Sequence, residues 1–87
     1  MPQAQMIIDV REEVEYNEGH VNDAVNIPLG QVVAGSPSLS DVPKDTKLIV
    51  YCRSGARANS AIAALQMQGF SNLTNGINKE TVETKYL

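Results

Sequence analysis

The chain contains one cysteine, Cys52, and the run Cys52-Arg53-Ser54-Gly55-Ala56-Arg57 joins it to two cations and three small residues. A cysteine reacts as its thiolate, and a helix N-terminus or neighbouring cations lower the thiol pKa from about 8.5 into a range of roughly 3.5 to 7.5. Ser54, Gly55 and Ala56 are small enough for backbone N–H groups to converge just beyond the sulfur, a nest suited to a thiolate or persulfide anion. Arg53 and Arg57 add positive charge there. Cations at the start of a helix are disfavoured unless an anion is present, so the pair points to an anionic ligand. The competing reading of Cys52 is a small buried hydrophobe, the usual role of a free cysteine. Its place ahead of a glycine-containing loop flanked by arginines favours the reactive reading.

Other polar residues are weaker candidates. His20 could act as a general base, but a thiolate formed by its own loop needs none, and a turn-stabilising histidine is the simpler reading. Asp9 and Arg11, at the end of another apolar run, either reach the site as a second layer or pair with each other and brace neighbouring loops. Glu12, Glu13, Glu15 and Glu18 read as a solvated helix face that could also repel wrong partners. One cysteine and one histidine fall short of a zinc site built from those ligands, and a lone cysteine forms no internal disulfide. Neither metal nor cofactor is expected.

The elements that must position Cys52 follow from the apolar pattern. Residues 47–52 form a continuous apolar run typical of a strand buried on both faces, with Cys52 at its carboxyl tip. From Arg57 onward, Ala58, Ala61, Ile62 and Leu65 follow helical spacing that Gly69 can terminate. Upstream, residues 6–10 and 24–27 read as short strands, 11–17 and 29–33 as short helical stretches, and 35–45 as a surface loop. Residues 72–74 give a last strand and 79–85 a polar terminal helix. Strands alternating with helices predict an α/β fold: a small parallel sheet of four to five strands with helices on both faces. Ligands of such sheets bind at the carboxyl ends of the strands, where Cys52 lies.

Composition sets the outer bounds. With 87 residues the chain suits a single domain spanning 1–87, and 43% hydrophobic against 20% charged residues is ordinary for a globular protein. A formal charge of -3 argues against a nucleic-acid footprint. Residues 1–5 lack a leader-like pattern, and no run approaches a membrane span, so a cytoplasmic protein is expected, or a periplasmic one if a signal peptide was removed. A monomer without membrane partners is expected.

Taken together, Ile8-Asp9-Val10-Arg11, Glu15-Tyr16, Gly19-His20-Val21, Ala24-Val25-Asn26-Ile27-Pro28-Leu29, Ile49-Val50-Tyr51-Cys52 with its loop, and Gly69-Phe70 resemble a rhodanese-like domain, of the small single-domain sulfurtransferase type. The resemblance implies a double displacement: Cys52 takes the outer sulfur of thiosulfate or a related donor and passes it to cyanide or a thiol. It also implies that Arg53 and Arg57 guide the anionic donor while Ser54, Gly55 and Ala56 contribute backbone. Relatives of this kind also act as persulfide carriers or docking modules served by a thiol-carrying protein. Cysteine-dependent phosphatases and arsenate reductases share the broad fold but place five residues between cysteine and arginine, where this chain has four. The paired glycines and tryptophan common near the family's C-terminal loop are replaced here by Asn75-Gly76-Ile77-Asn78, with no tryptophan in the chain.

Overall fold

The computed structural model describes residues 5–87. Residues 1–4, on which most of the reading of a leaderless start rests, lie outside the described residues. Four parallel strands form one sheet in the order β2-β1-β3-β4: β1 is Gln5–Asp9, β2 Val25–Asn26, β3 Lys47–Tyr51 and β4 Leu73–Ile77. Four α-helices connect or follow them: α1 (Glu13–Glu18), α2 (Leu29–Val33), α3 (Ala56–Met67) and α4 (Lys79–Lys85).

Alternation along the two central strands sends side chains to opposite faces. Ile8, Leu48 and Val50 join Val32 of α2 and Ala58, Ala61 and Leu65 of α3 in one core. Ile7, Ile49 and Tyr51 join Val82 of α4 in the other, with Tyr16 of α1 packed against it. Helices therefore cover both faces, which is why β1 and β3 read as unbroken apolar runs. Each fully buried aliphatic side chain contributes about 1.5–3 kcal/mol of transfer free energy, so the central strands are the anchor for everything at their tips.

The helix after Cys52 is the longest of the described helices and is flanked at both ends by glycine, Gly55 and Gly69. Alanines at 58 and 61 let it approach the sheet closely, and both are fully buried. It ends in a Schellman motif, in which Phe70 N donates to Leu65 O (3.1 Å) and Gly69 N to Gln66 O (3.0 Å), with Gly69 at φ 102°. Among the described residues no helix is long and apolar enough to cross a membrane.

Several boundaries differ from the sequence-based expectation. The stretch 35–45 is more than a surface loop: Pro37–Leu39 forms a 3-10 turn that buries Leu39 in the first core, and Ser36 is buried beside it. Its turn-forming composition concealed one apolar anchor. The last strand runs three residues past Thr74, because Asn75-Gly76-Ile77 pairs with β3 through a bulge at Val50/Tyr51. Gly76 is required there for space, since a Cβ on it would lie 2.6 Å from Val82 Cγ2 and 3.0 Å from Ile49 Cγ2.

Candidate active site

Cys52 follows the last residue of β3, and its backbone is held by the neighbouring strand: Cys52 N donates to Ile77 O at 3.1 Å. That carbonyl is delivered by an unusual conformation, Ile77 at φ 71°, which a β-branched residue adopts only under constraint. Asn75 supplies the constraint. Its Oδ1 accepts from Ile77 N (2.9 Å), and its Nδ2 donates to Gly55 O (3.1 Å), tying the bulge to the loop after Cys52. Gly55 itself has φ 92°, a left-handed conformation that favours glycine.

This loop turns its backbone toward the sulfur. Gly55 N donates to Cys52 Sγ at 3.1 Å. Burial pushes the thiol pKa up, but hydrogen bonds from the backbone N–H groups of Ala58, Ser54, Gly55 and Arg57 outweigh it, leaving Cys52 below the ordinary thiol range. The expected nest was Ser54, Gly55 and Ala56; the backbone groups that act on the sulfur are those of Ser54, Gly55, Arg57 and Ala58, because it lies against the first turn of α3. Cys52 is only 2% exposed and packs with the first core.

A polar cavity of about 280 Å³ opens over the sulfur, lined by Arg11, Cys52, Arg53, Asn78, Lys79 and Glu80. The last three come from the cap and first turn of α4, a part of the chain without an assigned role in the sequence reading. The clue was Asn78, a good N-cap residue directly before a polar helix; its Oδ1 accepts from Thr81 N at 2.8 Å. Among the described residues no cluster of three or more metal-ligating side chains occurs.

Asp9 and Arg11 pair with each other, and Arg11 alone of the two lines the cavity. Asp9 is fully buried and receives Arg11 Nη2 at 2.7 Å, Arg11 Nε at 3.0 Å and Tyr51 Oη at 2.8 Å, while Arg11 Nη2 also donates to Gly19 O at 2.7 Å. Arg11 thus braces the loop after α1 and lines the cavity, with Asp9 behind it. His20 stacks on Tyr16 with ring centroids 3.7 Å apart and is not among the residues lining the cavity.

The reading of Glu15 as part of a solvated face is corrected. Its carboxylate receives Arg57 Nη1 at 2.7 Å and Arg57 Nη2 at 3.0 Å, across 42 residues of sequence, and forms an ion pair with Arg53, whose Nε lies 3.0 Å from Oε2. The hydrogen bonds from Arg57, helped by the backbone N–H of Glu12, hold the Glu15 pKa down at about 2. The two loop arginines are therefore oriented by a carboxylate of the chain itself.

The rhodanese-like domain family matches residues 1–80. The chain is 34% identical over 70 residues to a sulfurtransferase of Allochromatium vinosum, a stretch covering 80% of this chain and 63% of that protein. It is 33% identical over 75 residues to the tRNA uridine(34) hydroxylase of Sodalis glossinidius, covering 83% of this chain and 21% of the relative. Its structure is similar to that of a rhodanese with anions from E. coli, with a TM-score of 0.79 and 29% identity over 90% of this chain and 91% of the other. The chain thus spans less than two thirds of the length of either curated relative.

Proposed function

The chain belongs to the rhodanese-like family, whose sulfurtransferase members it resembles, and on that premise we propose that it moves a sulfane sulfur from thiosulfate or a related donor to cyanide or a thiol acceptor through a persulfide on Cys52. The observation that carries this reading is the sulfur itself, which accepts from Gly55 N at 3.1 Å in the loop before α3 and lines an open polar cavity.

The chemistry needs no general base. The Cys52 thiolate attacks the outer sulfur of thiosulfate, the S–S bond of the donor breaks, and sulfite leaves with the bonding pair. Cys52 then carries a terminal sulfur anion. In the second half, the acceptor carbon of cyanide or the sulfur of a thiolate attacks that terminal atom, and the electron pair returns to Cys52 Sγ. Negative charge stays near the sulfur pair in every resting form, so fixed N–H donors stabilise each of them without reorganising. Burial keeps bulk water from competing for those donors.

Cys52→Ser tests the assignment because the exchange is nearly isosteric and removes the only thiol. Thiosulfate-to-cyanide turnover should disappear while the unfolding transition is retained. Turnover at the wild-type rate in that variant would refute the role of Cys52.

A further inference from the structure

The cations around the cavity each have a carboxylate of the chain. Arg11 is paired with Asp9 at 2.7 Å, Arg53 and Arg57 share Glu15 at 3.0 and 2.7 Å, and Lys79 pairs with Glu83 at 3.2 Å. Glu80 adds a further negative charge to the lining. Glu15 is the member of this set that engages both arginines of the loop.

Its placement is fixed from two sides. Oε1 accepts from Glu12 N at 3.0 Å, the reciprocal half of a capping box at the start of α1, and also from Arg57 Nη1. Oε2 accepts from Arg57 Nη2 and forms an ion pair with Arg53, whose Nε lies 3.0 Å away. A guanidinium fork presents the same bidentate geometry to a carboxylate as to an oxyanion. An incoming oxyanion must therefore compete with Glu15 for the Arg57 fork, or bind beside a carboxylate that repels it. We propose that Glu15 is a specificity-determining residue: an internal anion that occupies the loop arginines and turns the site's preference toward sulfane donors of lower charge. The inference rests on Cys52 as the reacting atom, as set out above.

Glu15→Gln removes the charge and keeps the shape, since glutamine serves equally at this position of a capping box. Alkylation of Cys52 by iodoacetate and by iodoacetamide reads the local charge without any turnover, and their ratio cancels changes in thiolate fraction. A unit charge about one Debye length (about 8–10 Å) from a reacting centre, at an effective dielectric of about 40–80, shifts such a ratio about two- to sixfold. Glu15→Gln should raise the iodoacetate-to-iodoacetamide ratio by about that factor at low salt, with the gain shrinking as salt is added. Arg53→Gln should move the ratio the other way, which keeps the test decisive if Glu15→Gln folds poorly. In sulfur transfer, the kcat/KM ratio of dianionic thiosulfate to monoanionic methanethiosulfonate, which offers the same kind of outer sulfur, should rise by a similar factor in Glu15→Gln. An unchanged alkylation ratio in folded Glu15→Gln, whatever Arg53→Gln does, would overturn the inference about Glu15. Absence of turnover in the wild type, with the alkylation ratios shifted as expected, would instead refute the sulfurtransferase reading and leave the charge role of Glu15 standing.

Discussion

Replacing Asp9 by asparagine should be one of the most destabilising conservative changes in this chain. The carboxylate is fully buried and receives the Arg11 backbone N–H at 2.9 Å, Arg11 Nε at 3.0 Å, Arg11 Nη2 at 2.7 Å and Tyr51 Oη at 2.8 Å. Asparagine keeps one acceptor oxygen but turns an NH2 donor toward other donors. The Arg11 side chain, 9% exposed, then keeps Gly19 O and the face of the Tyr51 ring, 5.6 Å away, but no carboxylate. Breaking a buried pair from one side costs about 3–5 kcal/mol, because the other charge stays buried without compensation. Against a total stability of about 5–15 kcal/mol, the loss shifts the melting temperature on the order of 20 °C for a chain of this size. Urea unfolding of Asp9→Asn, Arg11→Met and the double variant separates the pair from its parts. The double variant should be more stable than the sum of the single losses predicts, by about 2 kcal/mol or more. Strict additivity, or a loss below about 1 kcal/mol for Asp9→Asn alone, would refute the reasoning.

Other expectations follow from the same geometry. Glu15 drops from the ordinary 4.5 to about 2 in the folded state, so its stabilisation is complete above pH 4.5 and is lost as pH falls toward 2. The linkage is held to about 1–2 kcal/mol by the partial solvent exposure of Arg57 and Arg53; the wild-type advantage over Glu15→Gln in urea should shrink by about that amount as pH falls from about 5 toward 2, and a gap independent of pH would contradict this. The Cys52 thiol is likewise lowered on folding, so the thiolate adds stability above the unfolded thiol pKa and the gain is lost as pH falls through the folded value. Wild type should therefore gain on Cys52→Ser as pH rises toward 9, and parallel pH profiles would show that the loop does not hold the thiolate. Gly76→Ala drives a Cβ to 2.6 Å from Val82 and should cost about 1–3 kcal/mol by thermal melt, displacing α4 from the sheet; a neutral result would mean that α4 moves without cost. Gly55→Ala meets nothing closer than 3.6 Å, so it tests the left-handed backbone alone, at about 1–2 kcal/mol by the same measurement, and no loss would show that the loop tolerates another conformation.

What was legible in the sequence is what local pattern dictates. The apolar run ending at Cys52, the small residues after it and the helical spacing of Ala58, Ala61 and Leu65 place the thiol at a strand tip before a helix, and the structure has that arrangement. The pairing of Glu15 with Arg57 was not legible, because nothing local distinguishes Glu15 from Glu12 or Glu13, and the partner is 42 residues away. Asn75, Gly76 and Asn78 have the composition of a turn, yet the first two extend β4, because pairing with β3 and the bulge at Val50/Tyr51 override local preference. The same long-range folding brings Asn78, Lys79 and Glu80 over the sulfur. Leu39 was hidden among turn formers, and only the tertiary packing shows it as a core residue.

The central claim is that Cys52 carries the travelling sulfur. Intact mass measurement after incubation with thiosulfate, followed by peptide mapping, addresses it directly. The account predicts one added sulfur atom on the wild-type chain, located on Cys52, discharged when cyanide is added and absent from Cys52→Ser. An unchanged wild-type mass, in a preparation whose Cys52 still reacts with iodoacetamide, would contradict it.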